Sequence, residues 1–169
     1  KELKRIKPEK LKDFKNDFKK IANYVLVDCS AGLGNEAIST IKMADELIII
    51  TNPEIPALAD ALKTIKLAEE LKIPVTGVIV TRVNKDEIET DPNTVKEMLE
   101  APIIGMVPED IDVKKSISLK NAVVHTHPKS KSARAYKEIA SKMLDIPYDS
   151  NKDKENLLVT VLKKLGFKK

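Results

Sequence analysis

The chain has 169 residues, 42% of them hydrophobic and 33% charged, which suits one folded domain with its own core and excludes a disordered polymer. Its net charge of +4, from 30 basic and 26 acidic side chains, is too small to indicate nucleic-acid binding, and a 4% aromatic share without Trp disfavours a single-strand stacking platform. One cysteine excludes an internal disulfide and any Cys-x-x-Cys site, so the expected setting is a reducing cytoplasm.

No stretch approaches about 18 consecutive apolar residues, and no signal-peptide pattern is visible. Lys and Arg crowd the first 20 and the last 18 residues. Basic ends of this kind can meet phosphate or lipid headgroups, or can simply be solvated helix faces.

In chain order, Leu11, Phe14, Phe18 and Ile21 fall at helical spacing and predict an amphipathic helix over Pro8–Ala22. Tyr24–Val27 reads as a buried strand ending at Asp28, with the glycine-bearing loop Cys29–Asn35 directly behind it. A helix follows over Glu36–Ala44, and Leu47–Thr51 reads as a strand buried on both faces. Leu58, Ala61, Leu62, Ile65, Ala68 and Leu71 define a helix over Ala57–Lys72, which Pro74 separates from a strand at Val75–Val80. A polar loop over Arg82–Pro92 leads to a helix at Asn93–Glu100 and a strand at Ile103–Val107. Helices near Ile111–Leu119 and Ser130–Leu144 flank a short apolar piece, Ala122–Val124.

Short strands alternating with longer helices predict an α/β fold, a mostly parallel sheet with helices on both faces. The loops Asp28–Asn35, Asn52–Pro56, Thr81–Asn84 and Pro108–Asp110 are then expected at one edge of the sheet, where such folds bind ligands.

Asp28 is the first candidate. A carboxylate buried at a strand end needs a cation, a donor or a proton. A hydrated Mg²⁺ would satisfy it, and so would a helix N-cap. Gly32 and Gly34 permit a tight loop whose amides approach an anion, although a G-x-G pair most often marks only a turn. No G-x-x-x-x-G-K-[ST] phosphate loop occurs in these residues. His125 and His127 have no Cys, Asp or Glu at ligand spacing nearby and read as exposed loop histidines.

Pro147–Asp153 is polar and turn-rich. Beyond it Leu158, Val161, Leu162 and Leu165 are spaced i, i+3, i+4 and i+7, extended by Leu157 and Phe167 and flanked by Lys163, Lys164, Lys168 and Lys169. A short helix with apolar and lysine-rich faces can lie in a membrane interface; a terminal helix docked on the domain is the alternative. The expected organisation is an amphipathic helix over 1–22, an α/β domain over 23–146, a linker over 147–155 and a membrane-targeting helix over 156–169.

The strings YVLVDCSAGLGNEAI, ADELIIITNPEIPALADALKTI, VTGVIVTRVN and IIGMVPEDIDVKKSI, in that order and spacing, resemble the MinD/ParA group of deviant Walker A P-loop ATPases, its MinD branch above all. The resemblance covers about Tyr24 to Leu144. It implies that Asp28 is the Walker B acid, contacting Mg²⁺ through water, and that Cys29–Asn35, with Gly32 and Gly34, sense the γ-phosphate. Ser30 stands where many relatives have proline. The resemblance also places Thr81 and Arg82 beside an adenine base and Pro108, Glu109 and Asp110 in the loop closing over it. It makes Asp60 a candidate for a surface that binds Min-type regulators.

For a complete protein the resemblance implies ATP/ADP and Mg²⁺ as cofactors, ATP hydrolysis, an ATP-bound homodimer, and reversible peripheral attachment to an anionic membrane from the cytoplasm. Its role would be to position division or other cellular machinery. The glycine-rich phosphate loop with two lysines is not matched, so the sequence reads as the C-terminal two-thirds of such a protein, inactive alone. Two alternatives remain: a non-enzymatic interaction module without a phosphate loop, and a ParA-like DNA-partitioning ATPase, which the amphipathic tail disfavours.

Overall fold

The computed structural model describes residues 15–30, 32–84 and 92–148. Among these, seven helices and three strands follow one another as α1 (Lys15–Ile21), α2 (Asn35–Met43), β1 (Leu47–Thr51), α3 (Ile55–Glu70), β2 (Val75–Val83), α4 (Pro92–Leu99), β3 (Ile103–Pro108), α5 (Ile111–Ser118), α6 (Val123–Thr126) and α7 (Lys131–Leu144). The strands form a parallel sheet in the order β1-β2-β3. Parallel neighbours require crossovers, and α3 and α4 supply them.

Alternation along β2 divides the core into two layers. Val78 and Val80 join Ile49 of β1, Leu58, Ala61 and Ile65 of α3, and Val95 and Leu99 of α4. Ile79 points the other way, onto Val107 of β3 and Ile139 of α7. Helices therefore cover both faces of a parallel sheet, the α/β arrangement expected from the sequence.

Local chemistry sets the element ends. Pro56 is tolerated in the first turn of α3, which therefore starts ahead of the expected Ala57. Lys72 takes a left-handed backbone at φ 59 just after that helix, and Pro74 prevents its continuation. Gly105 lies under α7, where an added Cβ would collide with Ile139 Cγ1 and Cδ1.

Two expectations need correction. Tyr24–Val27 forms no strand: it joins no ladder, and Leu26 is 81% exposed. A strand needs a neighbour to take its N–H and C=O groups, and among the described residues β1 pairs with β2 alone. Asp28 accordingly lies exposed at the end of a segment without regular secondary structure, not buried at a strand end. Nor is β1 buried on both faces: Ile49 is 6% exposed, but Ile50 is 60% exposed.

Candidate functional site

The carboxyl ends of the three strands are tied to one another. Thr81 donates its hydroxyl to the Thr51 carbonyl at 3.0 Å, joining the ends of β2 and β1. The Glu109 amide donates to the Val83 carbonyl at 2.9 Å, joining the loop after β3 to β2. Between them Arg82 has a left-handed backbone, φ 58, and its guanidinium reaches Glu109 Oε2 at 3.3 Å and Glu54 Oε1 at 3.8 Å. Lys114 of α5 holds the other Glu109 oxygen at 3.2 Å. Thr81, Arg82, Pro108, Glu109 and Asp110 thus share one edge of the sheet with the Asn52–Pro56 loop.

Asp110 is engaged within the fold. One carboxylate oxygen caps α5 by accepting from the Asp112 amide at 3.0 Å; the other accepts from the Ser132 amide and hydroxyl, both at 3.1 Å. Burial alone would raise this carboxyl, but the amides of Asp112, Ser132 and Lys131 and the Ser132 hydroxyl outweigh it and hold the group below the ordinary carboxylate value. A lowered folded-state pKa contributes stability above the unfolded-state value, and that contribution is lost as pH falls through the folded one. Asp110→Ala should therefore cost about 1 kcal/mol near neutrality, the worth of an N-cap, and flatten the acid limb of melting temperature against pH. An unchanged acid limb would show that Asp110 is not among the groups setting it.

The Asp28 arm is more open. Gly34 is the N-cap of α2, Gly32 has φ 86, and a Cβ at either position would meet open space. Cys29 packs against α2, its thiol 3.8 Å from the Ala37 carbonyl. Partial burial, then the neighbouring Asp28 charge, push that thiol up against a smaller lowering by Thr40, so it stays protonated near neutrality.

A magnesium held through water asks for an accessible carboxylate not already engaged, and Asp28 is exposed with no hydrogen bond or ion pair to another described residue. No cluster of three metal-ligating side chains occurs among the described residues.

Asp60 is an exposed carboxylate on α3, paired at 2.9 Å with Lys63 one turn on. His125 is exposed, as expected, but His127 is not a free loop histidine. Its Nδ1 lies 3.2 Å from Ser116 Oγ and 3.0 Å from Thr126 Oγ1. The tail residues Leu157, Leu158, Val161, Leu162, Lys163, Lys164, Leu165 and Phe167 lie outside the described residues, as does nearly all of the expected linker. No helix among the described residues is long and apolar enough to cross a membrane.

Sequence reasoning missed Glu54, Lys114 and Ser132 as members of this edge. Glu54 was within reach: it lies in the Asn-Pro-Glu loop already placed there, and Asn52 fixes it by accepting from its amide at 3.3 Å. Nothing in the spacing announced Lys114 or Ser132.

The fold is a parallel sheet with helices on both sides and polar loops collected beyond its strand ends, the place where open α/β sheets bind ligands. A ParA family model described as NUBPL iron-transfer P-loop NTPase matches residues 7–144, and the chain belongs to this ParA/MinD family of P-loop NTPases. An uncharacterized ATP-binding protein of Methanocaldococcus jannaschii is 36% identical over 165 residues, covering 96% of this chain and 62% of the relative. The septum site-determining protein MinD of Bacillus subtilis is 30% identical over 146 residues, covering 82% and 53%. Among solved structures, MinD of Pyrococcus horikoshii complexed with Mg-ADP superposes with a TM-score of 0.76 at 28% identity, over 81% of this chain and 56% of that one. The chain thus spans little more than half the length of these relatives.

Proposed function

We propose that these residues form the base-binding and magnesium-facing side of a MinD-like ATPase, which binds ATP with Mg²⁺, dimerises, attaches reversibly to an anionic membrane and positions cellular machinery. The observation that carries this reading is the gathering of Glu54, Thr81, Arg82 and Glu109 beyond the three strand ends, in a fold shared with a relative solved with Mg-ADP. Thr81, Arg82 and the Pro108–Asp110 loop would flank the base. The Asp110 carboxylate would serve by fixing that loop, since its oxygens are engaged internally.

Asp28 would hold a water of the magnesium shell, and Gly32 and Gly34 would leave room for the γ-phosphate beside the start of α2. Magnesium, when bound, neutralises phosphate charge; the residues described here place and orient the nucleotide. The phosphates themselves would be cradled by a glycine-rich loop outside these 169 residues, so the chain alone should not hydrolyse ATP. Asp60 would lie on the surface facing a Min-type regulator.

Membrane attachment rests on the apolar and lysine pattern of residues 156–169. Each lysine near an anionic surface adds about 1 kcal/mol. Flotation with vesicles containing anionic lipid should recover the 169-residue chain and lose it when residues 156–169 are deleted. Equal recovery of the two would remove the tail from the account. A single tail should bind weakly, and dimerisation would strengthen attachment by presenting two.

The second reading, a non-enzymatic module, draws on the exposed Tyr24–Val27 segment and the exposed Ile50 of β1, which suit coverage by a partner. A binding measurement separates the two. The ATPase reading requires Mg-nucleotide affinity once a phosphate loop is supplied, and the module reading requires none.

A further inference from the structure

We propose that Arg82 is a positioning residue: a clasp that ties the loop after β1 to the loop after β3 across the end of β2, setting the width of the slot between them. The backbone is built for this. From Val80 to Val83 β2 advances three residues while β3 advances two, from Met106 to Pro108, so one extra residue bulges from β2. A bulge re-aims the side chain it carries. Arg82 sits in that bulge in the left-handed region, φ 58, which a non-glycine residue adopts at some cost.

Its guanidinium is thereby placed between two carboxylates from different loops, Glu54 Oε1 at 3.8 Å and Glu109 Oε2 at 3.3 Å. Each carboxylate is anchored behind. Asn52 accepts from the Glu54 amide at 3.3 Å, and Lys114 holds Glu109 at 3.2 Å. The network therefore runs from Asn52 through Glu54, Arg82 and Glu109 to Lys114, over two loops, the end of β2 and the first turn of α5.

Stability does not account for this arrangement. The Arg82 side chain is 63% exposed, and exposed ion pairs contribute little, while the left-handed arginine opposes them. What the clasp yields is a fixed separation between two loops that share no strand. Arg is suited to the task because its planar fork addresses two carboxylates at once, whereas the lysine ammonium is a point charge.

The proposal rests on the reading of these loops as the base site, but its test contains no nucleotide, so the two fail separately. Hydrogen exchange would be followed by mass spectrometry in the 169-residue chain, in peptides spanning residues 52–57 and 108–113, with α3 residues 61–70 as the internal reference. In Arg82→Gly the backbone strain is relieved, so the melting temperature should hold or rise, while both loop peptides exchange about tenfold faster and the α3 peptide is unchanged. Arg82→Lys, reaching one carboxylate, should restore protection in one loop only. About 1 M salt should loosen the loops of the wild-type chain in the same way. Wild-type exchange in both loop peptides of Arg82→Gly would overturn the clasp. So would faster exchange spread through α3, which would make Arg82 merely part of the general fold.

Discussion

Gly105→Ala should cost about 1–3 kcal/mol, because a methyl group there enters space already filled by Ile139. Gly105 is in the middle of β3, and Ile139 presses α7 onto that strand in the layer shared with Ile79 and Val107. Neither side can yield cheaply. The strand is fixed by its ladder to β2, and Ile139 is 6% exposed. For a domain of this size the penalty corresponds to a melting temperature lowered by roughly 2–12 °C.

A double-mutant cycle isolates the contact. Ile139→Ala alone leaves a cavity and costs about 2–5 kcal/mol. Combined with Gly105→Ala, the added methyl finds the vacated space, so the pair should cost less than the sum of the single changes. Simple additivity would mean that Ile139 is not what excludes a side chain from position 105.

The second large effect concerns Asp28. In the protein carrying both this chain and a phosphate loop, Asp28→Asn should lower ATP turnover about 10–100-fold, the usual loss when a partner acting one shell beyond the metal is removed. The carboxamide keeps the size of the side chain but lacks the charge that would orient a magnesium-bound water. Because Asp28 is exposed and engaged by no other described residue, the substitution should leave the melting temperature almost unchanged. Loss of activity with loss of folding would instead give Asp28 a structural role.

Much of the framework was legible because hydrophobic period and length agree in the central elements. Leu47–Thr51 has the predicted bounds, and the apolar spacing of Leu58, Ala61 and Ile65 marked the face of α3 that packs onto the sheet. β2 continues through Val83, beyond the expected Val80, because a bulge lets Arg82 be added without losing the pairing of Val83 with Pro108. Bulges have no periodic signature.

Tyr24–Val27 shows the opposite failure. Its composition is that of a strand, but strand formation also needs a partner, and composition cannot say whether one is present. The four apolar residues are all at least 41% exposed, and β1 likewise presents Ile50 at 60%. Both surfaces are aggregation hazards unless something covers them.

At the site, the individual loops were legible and their connections were not. Thr81, Arg82 and Glu109 could be placed at strand ends from the sequence. That Arg82 would face Glu54 and Glu109, separated from it by 28 and 27 positions, depends on where two crossovers bring the chain. Asp110 likewise looked available to a ligand, and only the positions of Asp112 and Ser132 reveal that its oxygens are taken. Polar networks assembled across loops are a property of topology, which no local pattern encodes.

The central claim is that these residues hold one side of an ATPase site. Its most direct test is ATP turnover measured side by side on the 169-residue chain and on the same residues joined to the uncovered part of the Methanocaldococcus jannaschii relative. The account predicts no turnover above background from the chain alone, turnover from the joined protein, and its loss on Asp28→Asn. Turnover by the 169 residues alone that disappears with Asp28→Asn would contradict it, as would a folded joined protein whose turnover ignores Asp28.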